Sequence, residues 1–332
     1  MLRTPNIKRP QRLDDLLEPA LMARLGQLDV SSRKIFAGKL RGERRSKKRG
    51  QSVEFADHRP YVEGDDLRHI DWNVYGRLDR LFLKLFLEEE DLSLHVVVDC
   101  STSMDAGEPN KFLFCQRLAA SLAYIGLVNL NRVAISAIGE RIDAVSVDGA
   151  PLAPPATPDA PTAAPSSNGL VSTLRDLRGR RRLDDIARYL CAIEPIGGTR
   201  FTDACKRIAV ARRGKGVMIF LSDFMVKEGY ETGLRLLIGH GYDLFAIQVL
   251  SPQEMEPNVG GDLRLKDMED GDTAEVTITA PLLKKYKQTL NAYCNRLHEF
   301  CAQRDIVHMT VKSDTPVDVL VLDYLRRRGL LK

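Results

Sequence analysis

The stretch that most constrains this chain is Val96-Val97-Val98-Asp99, with Cys100-Ser101-Thr102-Ser103-Met104 directly behind it. A β-branched run preceded by alternating Leu92 and Leu94 predicts a strand apolar on both faces, the pattern of a central parallel strand covered from either side. Asp99 then falls at the carboxyl end of that strand, where the loops of open α/β sheets form the ligand crevice. An Asp-x-Ser-x-Ser loop there offers one carboxylate and two hydroxyls to a common point. Oxygen-only ligands suit a hard cation such as Mg2+. The same residue types also serve as turn formers and helix N-caps, so the rest of the chain has to decide between the two readings.

Downstream, strands and helices alternate to the end of the chain, which predicts an α/β fold with a doubly wound, mainly parallel sheet. Residues 110–130 read as a helix. Arg132–Ile138 and Ile142–Val147 read as two strands joined at Gly139-Glu140, an antiparallel hairpin at a sheet edge. Residues 149–169 are rich in Pro and Ala and nearly uncharged, a flexible insertion. Arg175 to Arg182 forms a basic cluster ahead of a helix over 183–193. Ile196-Gly197-Gly198-Thr199 is a tight turn that delivers a hydroxyl just before a helix over 203–212. A second wholly apolar strand, 216–221, closes on Ser222-Asp223. A helix over 229–240, a strand over 244–250 and a polar hairpin within 260–280 follow. A long helix from Pro281 carries Tyr286, Leu290, Tyr293, Cys294, Leu297 and Cys301 on one core-facing stripe. A strand over 306–311 and a helix over 316–327, stopped by Gly329, complete the chain.

The N-terminal part has a different character. Leu13, Leu16, Leu17, Leu21, Leu25 and Leu28 predict one amphipathic helix over 12–28. The net charge of +4 is unevenly spread: residues 1–50 carry 14 Lys and Arg against 5 Asp and Glu, so the basic charge is an N-terminal property. The basic run from Arg41 to Gly50 has no interleaved aromatics for base stacking, which favours a solvated arm or protein-docking segment over a nucleic-acid site. In 52–90, Asp65 or Asp66 is expected to cap a short helix, Trp72 to be buried beside it, and Arg59, Arg68 and Asp71 to form one ion-pair set. Arg80–Leu87 alternates into a strand, followed by the acidic turn Glu88-Glu89-Glu90-Asp91. The expected domain layout is 1–50 as helix and basic arm, 51–91 as a segment packing on the core, and 92–332 as the α/β domain, with insertions at 149–169 and 260–280.

At 44% hydrophobic and 28% charged residues the composition is that of an ordinary globular protein. The best candidate for a membrane span, Leu118–Leu130, is too short and contains Ser121, Tyr124 and Asn129. The start lacks the order of a signal peptide, so a cytoplasmic location is expected. The 6 cysteines contain no Cys-x-x-Cys pair, which argues against a zinc site, a redox dithiol or a disulfide framework. Cys100 reads as a packed thiol rather than a nucleophile, since no base lies beside it.

If the strands ending at Asp99 and Asp223 are neighbours, then Asp99, Ser101, Ser103, Thr199 and Asp223 converge. This order of motifs resembles the von Willebrand factor A domain over about Leu92 to Lys332. Asp-x-Ser-x-Ser after the first strand, a Thr in a Gly-rich turn and an Asp after the fourth strand form that fold's metal-ion-dependent adhesion site. The resemblance implies Mg2+, with Mn2+ or Ca2+ as alternatives, bound directly by Ser101 and Ser103, directly or through water by Thr199, and mainly through water by Asp99 and Asp223. Phe224 stands where a Gly commonly follows the last Asp. Upstream, Glu54-Phe55, Arg59, Tyr61, Gly64-Asp65-Asp66, Arg68, Ile70-Asp71-Trp72, Glu88 and Glu90 resemble the bacterial family catalogued as domain of unknown function 58. Many members carry two membrane helices ahead of this region; this chain has none and is similar to the soluble form. Such members are typically encoded with a MoxR-type AAA+ ATPase, and the resemblance implies that ATPase as partner.

The site chemistry fits docking. Two carboxylates and a divalent cation are near neutral together, and an open sixth position would accept an Asp or Glu from a client protein. A phosphatase of this kind would want a second acid at position 101, which is Ser. No phosphate-binding Gly-x-x-x-x-Gly-Lys-Ser/Thr loop is present, and no His lies in the three loops to act as a base. The expectation is therefore a non-enzymatic, metal-dependent protein-binding adaptor. An RNA- or anion-binding module working through the basic residues is the alternative, and a metal-dependent hydrolase comes last.

Overall fold

A computed structural model describes residues 8–30, 54–87, 92–139, 170–211, 216–267, 269 and 272–331. The basic arm, the acidic turn at 88–91, the expected strand 142–147 and the Pro/Ala insertion lie outside the described residues. The chain divides into two units, residues 33–91 and the remainder.

The first described segment corrects the single N-terminal helix. It is two short helices, α1 (Leu13–Leu16) and α2 (Pro19–Leu25). Pro19 supplies no amide hydrogen and disfavours helical backbone at Glu18, so the first helix stops there. The apolar stripe survives the break, with Leu16, Leu17, Leu25 and Leu28 all buried.

In the smaller unit, β1 (Glu54–Pro60) pairs antiparallel with β2 (Phe82–Leu87), Pro60 lying opposite Phe82. Between them a short turn of helix, Leu67–His69, is capped by Asp66. The helix α3 (Trp72–Leu78) is capped by Asp71, which accepts from the Asn73 and Val74 amides at 3.0 and 3.3 Å. The single ion-pair set expected from Arg59, Arg68 and Asp71 is instead three separate pairings. Arg59 meets Asp65 at 2.6 Å, Arg68 meets Asp66 at 2.7 Å, and Asp71 meets His58 at 2.9 Å and Lys84 at 3.4 Å. Trp72 is 63% exposed rather than buried, with its ring edge-on to Tyr75. Asp71 is the buried cap, and the residue after a cap starts the helix about 100° further round, here toward solvent.

The larger unit is built on a six-stranded sheet. In chain order its elements are β3 (Ser93–Asp99), α4 (Lys111–Val128), β4 (Arg132–Ile138), β5 (Leu170–Leu177), α5 (Leu183–Ala192), α6 (Phe201–Ala211), β6 (Gly216–Ser222), α7 (Glu231–Gly239) and β7 (Asp243–Leu250). Then come α8 (Pro252–Met255), the hairpin β8 (Gly261–Lys266) and β9 (Thr273–Ile278), α9 (Ala280–Ala302) and β10 (Val307–Lys312). A last helical stretch over Val317–Leu325 is π-helical from Leu320.

The strand order is β10-β7-β6-β3-β4-β5, parallel throughout except that β5 runs antiparallel to β4 at one edge. An antiparallel edge was expected, but its strand is 170–177, a stretch that Arg175 and its neighbours disguise as a basic loop. From β3 the chain winds outward through β4 to β5, then returns to β6 and winds the other way to β10. The β3/β6 boundary is therefore a topological switch point, where the carboxyl-end loops part into a crevice.

The central strands are buried, β6 and β7 at every position, with Asp243 and Gln248 of β7 included. Phe201, Phe220, Phe224, Tyr230 and Leu234 lead one core cluster with Val97 and Leu297. The helix α4 begins well before Leu118 and at 18 residues is long and apolar enough by composition to cross a bilayer, which corrects the shorter span read from sequence. It is buried along nearly its whole length against the sheet, and a Cβ on its Gly126 would meet the Val133 side chain at 2.7 Å.

Candidate metal-binding loop cluster

Three loops meet at the carboxyl ends of β3 and β6. The first begins as β3 ends: the Asp99 Oδ1 atom accepts from the Ser101 amide at 3.0 Å, which turns the chain so that Ser101 and Ser103 face the same way. Their hydroxyl oxygens are 2.9 Å apart. The second loop carries Gly197 at φ +70°, a left-handed conformation natural to glycine. Two backbone bonds tie it to the first, Thr102 N–H to the Gly197 carbonyl at 2.8 Å and Ile196 N–H to the Cys100 carbonyl at 2.9 Å. That places the Thr199 hydroxyl 2.8 Å from Asp99 Oδ1.

The third loop follows β6. Ser222 donates to Asp99 Oδ2 at 2.6 Å, and Asp223 Oδ2 lies 3.2 Å from the Ser103 hydroxyl. Phe224 occupies the position where glycine is common in this loop pattern, and it takes a glycine-like φ of +57°. The strain of a left-handed non-glycine residue is held by its surroundings. Its ring is buried among Phe201, Phe220 and Tyr230, its amide donates to Ser222 Oγ at 2.9 Å, and its carbonyl accepts from the Tyr293 hydroxyl. The loop shape is thus kept by packing where glycine would keep it by freedom.

Asp99, Ser101, Ser103, Thr199 and Asp223 line one cavity of about 160 Å3. Asp99, Ser101 and Asp223 are buried, each about 2% exposed. Burial and the neighbouring Asp223 carboxylate push the Asp99 carboxyl above its usual range, against the hydrogen bonds from Ser222, Ser101 and Thr199. Cys100 is a packed thiol, pushed well up by burial and then by Asp99.

Two further groups belong to this cluster and were not picked out from sequence. Lys111, wholly buried at the start of α4, places its ammonium 2.9 Å from Asp223 Oδ2 and 2.6 Å from Glu254 Oε1. Burial works against its charge, but the two carboxylates outweigh burial and hold it above its ordinary range. A lysine in the first turn opposes the helix dipole, and this one is followed by Phe112-Leu113-Phe114. That mismatch is the sequence signal that could have found it. The second group is Glu269, at the tip of the β8–β9 hairpin, which lines the same cavity. Burial, then Asp223 and Asp99, push its carboxyl up to about 7, with Lys227 and Ser103 acting the other way.

The donor set fits a small hard cation. At a Mg–O distance of about 2.0–2.1 Å, neighbouring ligands of an octahedral Mg2+ lie about 3 Å apart; the Ser101–Ser103 and Ser103–Asp223 oxygens are 2.9 and 3.2 Å apart. Among the described residues no three His, Cys, Asp or Glu side chains form a metal-holding group by themselves. A site here rests on hydroxyls as much as on carboxylates.

The family model described as protein of unknown function DUF58 matches residues 57–147 and 170–293. Uncharacterized protein Rv1480 of Mycobacterium tuberculosis is 24% identical, the alignment covering 99% of this chain and 98% of that one. Uncharacterized protein MAV169 of Mycobacterium avium is 28% identical over 39% of this chain and 75% of its own length. Among solved structures, a conserved hypothetical protein BatB from Bacteroides thetaiotaomicron aligns with 71% of this chain and 98% of its own at 11% identity. An aerotolerance-related membrane protein from Bacteroides fragilis aligns with 71% and 99% at 14% identity. Both have a TM-score of 0.38, too low to carry an argument.

Proposed function

The chain belongs to the DUF58 family, and on that premise we propose that it is a non-enzymatic, protein-binding adaptor that holds a partner through a Mg2+ ion at the three-loop cluster. The observation that supports this most is the convergence of five oxygen-bearing side chains from three loops, two of their contacts at the spacing of an octahedral Mg2+. In this reading Ser101 and Ser103 hold the ion directly, Thr199 directly or through water, and Asp99 and Asp223 mainly through water. Lys111 keeps Asp223 in place and offsets part of the negative charge. Bound Mg2+ would supply a fixed positive centre that accepts a carboxylate.

The strand order, with the site at its switch point, supports reading the larger unit as a doubly wound von Willebrand factor A-like domain. The proposed partners are a MoxR-type AAA+ ATPase and a client protein that presents an Asp or Glu to the metal, a partnership that goes with a cytoplasmic location. In this reading the carboxylates beside the hydroxyls hold the cation, which favours binding over hydrolysis.

Calorimetric titration with Mg2+ tests the reading. Saturable binding is expected for the wild-type chain and loss of it for Ser101→Ala/Ser103→Ala at an unchanged melting temperature. Capture of a MoxR-type ATPase is expected in Mg2+ and release in chelator. Failure of the wild-type chain to bind Mg2+ at millimolar concentration would overturn it.

A further inference from the structure

The β8–β9 hairpin contributes little to the core. Most of its strand residues are exposed, it forms a two-stranded sheet of its own, and the face shared by Leu263, Leu265, Val276 and Ile278 is no more than partly buried. What it does is hold Glu269 at the metal loops. The Glu269 amide donates to Asp267 Oδ1 at 2.8 Å, and the other oxygen of Asp267 meets Lys227 at 3.0 Å. Lys227 lies in the third loop, just beyond Asp223. The tip is therefore fastened to the loop that carries Asp223, and Glu269 lines the cavity together with Asp99, Ser101, Ser103, Thr199 and Asp223.

We propose that Glu269 is an internal ligand, a carboxylate of this chain that takes the position on the cation which a partner's Asp or Glu must occupy, so that a client binds by displacing it. The inference rests on the metal-site reading and adds to it a built-in competitor. It uses the same chemistry twice: a hard cation with hydroxyl donors favours a carboxylate at its open position, and the nearest one is already tethered. A tethered ligand has a high effective concentration, so it need not bind strongly to keep out weak or non-specific carboxylates. Only a partner that gains further contacts elsewhere on the surface would displace it.

The experiment uses Mn2+ as probe with the full chain, as wild type, Glu269→Gln and Ser101→Ala/Ser103→Ala. Calorimetry gives affinity, water-proton relaxation gives the number of waters on the bound ion, and a thermal melt checks folding. Glu269→Gln is expected to remain folded, bind Mn2+ about tenfold more weakly and carry roughly one more exchangeable water, consistent with loss of one coordinated carboxylate. Added acetate is expected to remove that extra water in the variant and leave the wild type unchanged. Equal affinity and equal hydration in wild type and Glu269→Gln, with binding lost in the double serine variant, would overturn the internal ligand and leave the metal site standing. Absence of Mn2+ binding in every chain would overturn both.

Discussion

The same kinds of charged residue do opposite things in the two units. At the larger unit's loop cluster, Lys111, Asp223 and Glu254 are buried and joined by contacts of 2.6 and 2.9 Å across more than a hundred residues of sequence. In the unit carrying β1 and β2, Arg68 and Asp66 make a contact of similar length, 2.7 Å, two residues apart and open to water. The difference lies in solvent. A buried charge has exchanged hydration for one specific partner, and loss of that partner leaves it with nothing. An exposed pair is screened, and water replaces either member at little cost.

The comparison breaks most visibly at Lys111. Lys111→Met leaves Asp223 and Glu254 buried without their cation, and a loss of about 3–5 kcal/mol in unfolding free energy is expected from denaturant titration. A variant as stable as the wild type would mean that water reaches the triad and that the burial argument is wrong.

A smaller effect is expected with pH at His308, a buried ring on β10 whose Nδ1 lies 3.3 Å from that of His298. Burial, then His298 and Arg328, pull it down to about 4 from its ordinary 6.5. Between those values the unfolded chain takes up a proton that the native chain refuses. The stability contributed by the neutral ring is therefore full above pH 6.5 and lost as pH falls toward 4, by up to about 3 kcal/mol. Denaturation midpoints measured from pH 7 to 4 should fall less steeply in His308→Gln than in the wild type.

The smallest effect is expected at the exposed pair. Arg68→Gln should leave the melting temperature of the chain within experimental scatter, in salt and without it. A clear shift would show that the unit carrying β1 and β2 depends on its surface pairs, and would remove the contrast between the two regions.

Asp71 stands between these extremes and shows why sequence misled. It is buried, and the bond from His58 comes first among the causes that hold its carboxyl down at about 2, joined by the Val74 and Asn73 amides and Lys84. Its partners come from the facing strands β1 and β2 as well as from its own helix. The spacing Arg59, Arg68, Asp71 suggested one local set because spacing shows only neighbours along the chain. The same blindness put Trp72 inside, since its size argues for burial and only the direction of α3 from its cap sends it outward.

Much of the α/β unit was legible from sequence because its strands are apolar on both faces and the helices between them keep a clear period. Val96–Val98 and residues 216–221 could be little else, and an acid at the end of each could be read directly. The letters of Asp99, Ser101, Ser103, Thr199 and Asp223 named a candidate set, though not a position for it.

Their meeting depended on β3 lying beside β6, a choice made by the winding of the whole sheet. Lys111 and Glu269 were hidden for the same reason. Glu269 joins from a hairpin far along the chain and Lys111 finds Asp223 and Glu254 across more than a hundred residues, and partners at that distance meet only when the core has closed around both. Local sequence fixes periodicity, caps and turns, which act over a few residues; burial and the pairing of charges belong to the folded chain, because water leaves a site only when every wall of it has arrived.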